Sequence, residues 1–203
     1  GKDGIHCENE DDTEKGHVLV ESGSFTITAA GDGIHASARM DIGDGSFFLC
    51  CGGGSENAAK KSREPMGGFG GRGPRMPMEG LPSEDTAEDS VSSKGLKAAS
   101  LQISGGSFSL DCADDALHSD SSMTLSGGNF VIRSGDDALH AEESLLVSAG
   151  SFTIEDCYEG LEALHLEISG GELRLCARDD GLNAAGGMDQ SGFGGPRGSE
   201  PFG

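Results

Sequence analysis

The stretch Ser104-Gly105-Gly106-Ser107-Phe108-Ser109-Leu110 decides the fold, because it comes back three more times. It returns as Ser126-Gly127-Gly128-Asn129-Phe130-Val131-Ile132, as Ser148-Ala149-Gly150-Ser151-Phe152-Thr153-Ile154, and as Ser169-Gly170-Gly171-Glu172-Leu173-Arg174-Leu175. The copies start at residues 104, 126, 148 and 169, so the spacings are 22, 22 and 21. Upstream, Ser22-Gly23-Ser24-Phe25-Thr26-Ile27 and Asp44-Gly45-Ser46-Phe47-Phe48-Leu49 carry the same phrase. A fixed period of this length marks a repeat architecture.

A second phrase keeps the same period. It reads Asp114-Asp115-Ala116-Leu117-His118, Asp136-Asp137-Ala138-Leu139-His140, Tyr158-Glu159-Gly160-Leu161-Glu162 and Asp179-Asp180-Gly181-Leu182-Asn183. Earlier versions are Asp3-Gly4-Ile5-His6 and Gly31-Asp32-Gly33-Ile34-His35, with a decayed Lys94-Gly95-Leu96-Lys97 between. Each repeat holds three short runs of alternating apolar and polar residues, such as Leu117-His118-Ser119, Met123-Thr124-Leu125 and Phe130-Val131-Ile132. Alternation of this kind predicts strands with one inward and one outward face. The Ser-Gly-Gly between the second and third runs supplies a tight turn at a residue free to take positive φ.

Such a unit cannot bury its own apolar face. Stacked neighbours can, with equivalent strands about 4.8 Å apart in parallel sheets. The prediction is an all-β fold, a right-handed single-stranded parallel β-helix of about six coils, each of ~22 residues with three short strands. Its inward ladders are Phe25, Phe47, Phe108, Phe130, Phe152 and Leu173; Ile5, Ile34, Leu96, Leu117, Leu139, Leu161 and Leu182; and Val20, Ile42, Ile103, Leu125, Val147 and Ile168. A corner position takes Ala29, Cys51, Cys112, Ser134, Asp156 and Ala177. Cys51 and Cys112 then fall on adjacent coils, either as buried thiols or close enough for a disulfide.

Bulk composition fits this reading. Hydrophobic residues make up 34%, aromatics 5%, there is no Trp, and glycine numbers 35. A narrow apolar stripe per coil suits that supply better than one large core. No apolar run approaches a membrane span. The net charge is −21, from 35 acidic and 14 basic residues, which disfavours nucleic acid and anionic lipid and favours cations. Six cysteines show neither CxxC nor zinc-finger spacing.

Residues 1–51 read as the first two coils and 93–185 as the remainder. Gly105 stands 61 positions after Asp44, one repeat of 22 plus 39 extra, and the surplus runs roughly over 52–92. Its Gly/Pro/Met/Ser-rich composition, like that of the tail 186–203, predicts disorder. The first coil has a smaller acidic insertion, Glu8-Asn9-Glu10-Asp11-Asp12. The chain opens on repeat material at Gly1-Lys2-Asp3, which reads as a piece of a longer protein.

Stacking carries chemistry too. It places Asp115, Asp137, Glu159 and Asp180 in one column and Asp114, Asp136 and Asp179 in the next. Like charges about 5 Å apart cost about 3 kcal/mol at an effective dielectric near 20. Relief comes from protonation or from a hard cation, and Ca²⁺ is the expected one, held by these seven residues and by turn carbonyls. The plainer alternative is that the acids make hydrogen-bonded turns and splay into solvent. The nonapeptide GGxGxDxUx calcium repeat is absent. Beside the acids runs an outward ladder of His6, His35, Lys97, His118, His140, Glu162 and Asn183. A flat strip of donors next to bound cations suits an extended sugar chain, and His35, Lys97, His118, His140 and Glu162 are the expected carbohydrate contacts. With Tyr158 the only Tyr, ring stacking on sugars contributes little.

The coils 135–141, with strands followed by Ser-Gly-Gly-x-Phe-x-Ile, resemble the bacterial β-helix family of carbohydrate-binding domain-containing proteins, of the clostridial cellulose- and acidic-sugar-binding type, itself similar to family 9 pectate lyases. The resemblance covers nearly the whole chain, including the insertion before Lys94 and the Tyr158 coil. It implies calcium and an extracellular or surface-anchored location, with further coils preceding residue 1. The cysteines, and Ala116 and Ala138 in place of glycines, depart from the pattern. The expected function is non-catalytic binding of acidic or cellulosic polysaccharide by a monomer, with Ca²⁺ bridging carboxylates across the charge deficit. The alternatives are a calcium-dependent polysaccharide lyase, for which only Lys97 is placed as a base, and a structural surface adhesin or spacer.

Overall fold

The structure, a computed structural model, describes residues 2–9, 12, 15–58 and 92–184. They form a right-handed parallel β-helix in which every strand pair is parallel. The first coil contains β1 (Ile5–Cys7), β2 (Val18–Val20) and β3 (Ser24–Ala29). The second contains β4 (Ile34–Ile42) and β5 (Ser46–Cys51), and the third β6 (Leu96–Ile103) and β7 (Ser107–Cys112). The fourth and fifth coils are single bent strands, β8 (Leu117–Ser134) and β9 (Leu139–Cys157). Then come β10 (Leu161–Ile168), β11 (Glu172–Ala177) and β12 (Leu182–Asn183). The three predicted runs therefore exist, but in the middle coils they fuse. Register shifts between Leu125 and Ser126 and between Ser126 and Asn129 mark the bends in the β8–β9 pairing.

Register confirms the ladders. Phe25 pairs with Phe47, Phe47 with Phe108, Phe108 with Phe130, Phe130 with Phe152, and Phe152 with Leu173. Consecutive rings lie 4.8, 4.7, 4.5 and 4.7 Å apart, tilted by no more than 6°. Centroid separations of this size lie at the short end of the range that aromatic pairs favour. Here the spacing of parallel strands imposes them. The Ile5-to-Leu182 and Val20-to-Ile168 ladders follow the same registers. Most of these side chains are buried in one core that runs the length of the helix.

The glycine turn is as the phrase predicts. Gly106, Gly128, Gly150 and Gly171 have φ between +96° and +115°. At Gly127 backbone approach adds a second constraint, because a Cβ there would collide with the Ser104 carbonyl oxygen of the coil before. The fifth coil carries Ala149 at the corresponding place, where the register shifts.

One corner needs correction. Cys51 pairs with Cys112, and Cys112 with Ser134, but Ala177 pairs with Cys157 rather than Asp156. The fifth coil carries one extra residue after Ile154, where the register shifts. Cys157 is therefore the buried corner residue, and Asp156 accepts a bond from Arg178 instead. All six cysteines are free thiols. The Cys112 thiol bonds the Cys51 thiol, and that contact, with burial, raises its pKa.

The domain boundaries of the insertion and tail fall mostly on 59–91 and 185–203, outside the described residues. The first residues of the insertion are placed. A short 3₁₀ turn over Ser55–Asn57 packs on the body, with Ser55 N donating to Asp111 Oδ1 at 2.7 Å. Among the described residues no helix is long and apolar enough to cross a membrane.

Truncating one ring of the stack tests this core. Phe130→Ala, at 2% exposure, is expected to lower unfolding free energy by about 3–5 kcal/mol in urea titrations. Val131→Ala, at 45% exposure on the outer face, should change it by less than about 0.5 kcal/mol.

Candidate functional site

The acidic corner is held by backbone bonds passing from coil to coil. Gly4 N donates to Asp32 O, Gly33 N to Lys94 O, Gly95 N to Asp115 O, Ala116 N to Asp137 O, Ala138 N to Glu159 O and Gly160 N to Asp180 O. The column is thus Asp32, Lys94, Asp115, Asp137, Glu159 and Asp180. Asp115, Asp137, Glu159 and Asp180 do stack, as the period requires. The second column does not run unbroken. Tyr158 N donates to Asp136 O and Asp179 N to Tyr158 O, so Tyr158 stands between those two acids.

Lys94 changes the electrostatics. Its ammonium lies 2.5 Å from Asp115 Oδ2 and 3.0 Å from Asp114 Oδ2, largely enclosed. Burial alone would lower the Lys94 pKa, but the charges of Asp115 and Asp114 raise it well above the ordinary range. Burial would likewise raise Asp115, yet the His118 hydrogen bond and Lys94 hold it far below the carboxylate range. The column therefore carries its own cation. In the sequence Lys94 reads as decay of the repeat, and the signal that marks its role is a charge reversal standing in phase with the acids.

The histidines form the next line of compensation. His118 Nδ1 lies 2.9 Å from Asp115 Oδ2, and its Nε2 lies 3.1 Å from Asp120 Oδ1. His140 Nδ1 lies 3.0 Å from Asp137 Oδ2 and 3.4 Å from Glu162 Oε2. His6 repeats the arrangement, 2.7 Å from Asp3 and 2.8 Å from Glu8. The recurring pattern is Asp-x-x-His-x-Asp/Glu, at 3–8, 115–120 and 137–142. The outer acids Glu8, Asp120 and Glu142 share the histidine's face because they lie two residues further along the strand.

The ladder His6, His35, Lys97, His118, His140, Glu162 and Asn183 has the expected register. Its exposure differs from a flat outward strip. His118 and Glu162 are buried, His35, Lys97, His140 and Asn183 are half-buried, and only His6 is open. The strip is recessed because the acids of the corner fold against it. His118 and His140 stack at 5.0 Å, and His6 meets His35 edge-on at 4.9 Å. Burial and nearby Lys97 depress His35.

Four groups of side chains, among the described residues, can coordinate a metal ion. They are Asp114, Asp115 and Asp136; Asp115, His118 and His140; Asp137, His140 and Glu162; and Asp3, His6 and His35. Within each group the donor atoms lie within 4.8 Å of one another. Of the acids expected to hold calcium, Asp114, Asp115 and Asp136 form an oxygen-only set, the chemistry that suits a hard cation. Asp137 joins an imidazole instead. Glu159 accepts from Asn183 at 2.9 Å, while Asp179 and Asp180 stand exposed on the last coil, in none of the four groups.

His140 sets a pH dependence. Burial would lower its pKa, but the Asp137 hydrogen bond and the charges of Asp115, Asp137 and Glu162 raise it from 6.5 to about 9. Asp137 is itself pushed up, chiefly by burial and then by Asp115 and Asp136. The folded state holds the His140 proton more tightly than the unfolded chain. Its contribution is complete below pH 6.5 and lost as pH rises through about 9. Unfolding free energy should fall across that window by on the order of 2 kcal/mol more than in His140→Gln, measured by denaturant titration at several pH values. Equal slopes would contradict this origin.

A family model described as carbohydrate-binding domain-containing protein matches residues 1–138, from the first coil through the Asp136-Asp137 corner. No curated protein and no solved structure matches the chain. With two thirds of its length covered by that match, and with the coil geometry above, the chain belongs to the family of carbohydrate-binding domain-containing proteins.

Proposed function

We propose that this carbohydrate-binding β-helix is a non-catalytic, extracellular module for acidic or cellulosic polysaccharide, with calcium at the Asp114, Asp115 and Asp136 corner. The observation that carries the proposal is the oxygen-only set of donors from two neighbouring coils, with Asp114 and Asp136 half-buried on either side of buried Asp115. Ca²⁺ takes six to eight oxygens, and with one oxygen from each of the three acids several positions stay open. The remaining positions suit water and the carboxylates of a uronate chain. At a net charge of −21 the protein repels a polyanion unless a cation bridges the two.

Lys94 competes for the same oxygens, since its ammonium already contacts Asp114 and Asp115. Calcium occupancy therefore depends on how readily Lys94 swings aside. A glycan lying across the coils would meet half-buried His35, Lys97 and His140 and the rim acids, while His118 and Glu162 support them from beneath. The lyase alternative needs a deprotonated base beside the metal. Lys94, the cation nearest the acids, is held protonated and does not serve as that base, which leaves the alternative resting on Lys97.

Retention on immobilised pectate should require Ca²⁺ and vanish with chelator; retention unchanged by EDTA would rule out bridging. Ultraviolet-absorbing unsaturated product from pectate would favour the lyase, and failure to retain any glycan with calcium present would favour a structural spacer. Lys94→Met should enlarge the rise in melting temperature on adding Ca²⁺. A smaller rise than in the parent protein would remove Lys94 as the competitor.

A further inference from the structure

Asp137, His140 and Glu162 bring two buried carboxylates to one ring nitrogen. The Asp137 and Glu162 side chains are only 6% and 5% exposed. His140 Nδ1 faces them at 3.0 and 3.4 Å, and the two carboxyl groups also hydrogen-bond each other, so all three donor groups converge on one point. Ligands about 2.0–2.2 Å from a tetrahedral metal stand about 3.3–3.6 Å from one another. The 3.4 Å separation to Glu162 falls in that range, and the 3.0 Å separation to Asp137 lies a few tenths of an ångström short of it.

The far side of the ring is an independent sign. His140 Nε2 is enclosed and has no hydrogen-bond partner. Glu142 Oε1 stands 3.6 Å from it, a few tenths of an ångström beyond bonding range. An imidazole that ligates a metal through one nitrogen carries its proton on the other, where a carboxylate customarily receives it. The donor set also differs in kind from the calcium corner. Imidazole with carboxylates suits zinc-class dications, whereas calcium takes oxygen alone.

We propose that Asp137, His140 and Glu162 bind a transition-metal dication of the zinc class, with Glu142 as the positioning partner of His140 and the fourth position open to water. Asp115 and His118, on the coil before, close the site on that side. The group shares His140 and Glu162 with the glycan-facing strip but none of its residues with the calcium corner, so cobalt uptake and calcium-dependent pectate retention are read separately.

The test is cobalt and zinc binding by the full chain. One Co²⁺ should enter with the intense visible bands of four-coordinate cobalt, and Zn²⁺ should displace it, with protons released in calorimetry. The bands should disappear in His140→Gln and Glu162→Gln, and persist in His6→Gln, which disables the separate Asp3, His6 and His35 group. Glu142→Gln should weaken binding roughly ten- to a hundredfold without abolishing the spectrum. Three results overturn the proposal. The parent protein takes up no Co²⁺, leaving an imidazolium–carboxylate network only. The bands survive both ligand variants. Or the spectrum shows only thiolate charge transfer, which assigns the metal to the cysteines. Should His140→Gln fail to fold, Glu162→Gln and the parent spectrum decide.

Discussion

Stacking in register is the constraint on which everything else rests. Each residue of a coil lies one strand spacing, about 4.8 Å, from its counterpart above and below. For apolar residues that repetition is an asset. Phe25, Phe47, Phe108, Phe130 and Phe152 build a continuous column of rings without any large core. For ionised residues the same spacing is a liability, because repulsion recurs at every rung. A β-helix with an acidic corner must therefore break the repetition or neutralise it.

This chain does both. Lys94 replaces an acid within the column and contacts Asp114 and Asp115. Tyr158 separates Asp136 from Asp179 in the neighbouring column. His118 and His140 lie beside Asp115 and Asp137 and share their charge. The outcome is a recess in which Lys94, His118 and His140 offset part of the acidic column. Any incoming metal ion competes with cations the fold already supplies. That competition separates two kinds of site, an oxygen-only corner next to Lys94 and an imidazole-bearing group one coil further along.

The repeat made the ladders legible, since period and phase together assign every inward residue. It could not reveal the recession of the histidine strip. Alternation says which way a side chain points, but not whether the corner before it folds over it, and His118 and Glu162 are buried for that reason. The repeat places Asp156 at the corner where Cys157 stands, because an extra residue within the fifth coil leaves the spacing of the flanking phrases almost unchanged. Asp120 and Glu142 were visible as letters two places after His118 and His140. Their meaning emerged only once Asp115 and Asp137 were seen holding the opposite ring nitrogens. Lys94 read as decay of the repeat because its value lies in opposing the pattern.

The central claim is that register turns the acidic column into one coupled network centred on Lys94. A double-mutant cycle with Lys94→Met and Asp115→Asn, measured by urea unfolding near pH 7 without metal, tests it most directly. The account predicts that the effects are not additive, with a coupling energy above about 1 kcal/mol. Additive effects, with coupling within about 0.3 kcal/mol of zero, would contradict it.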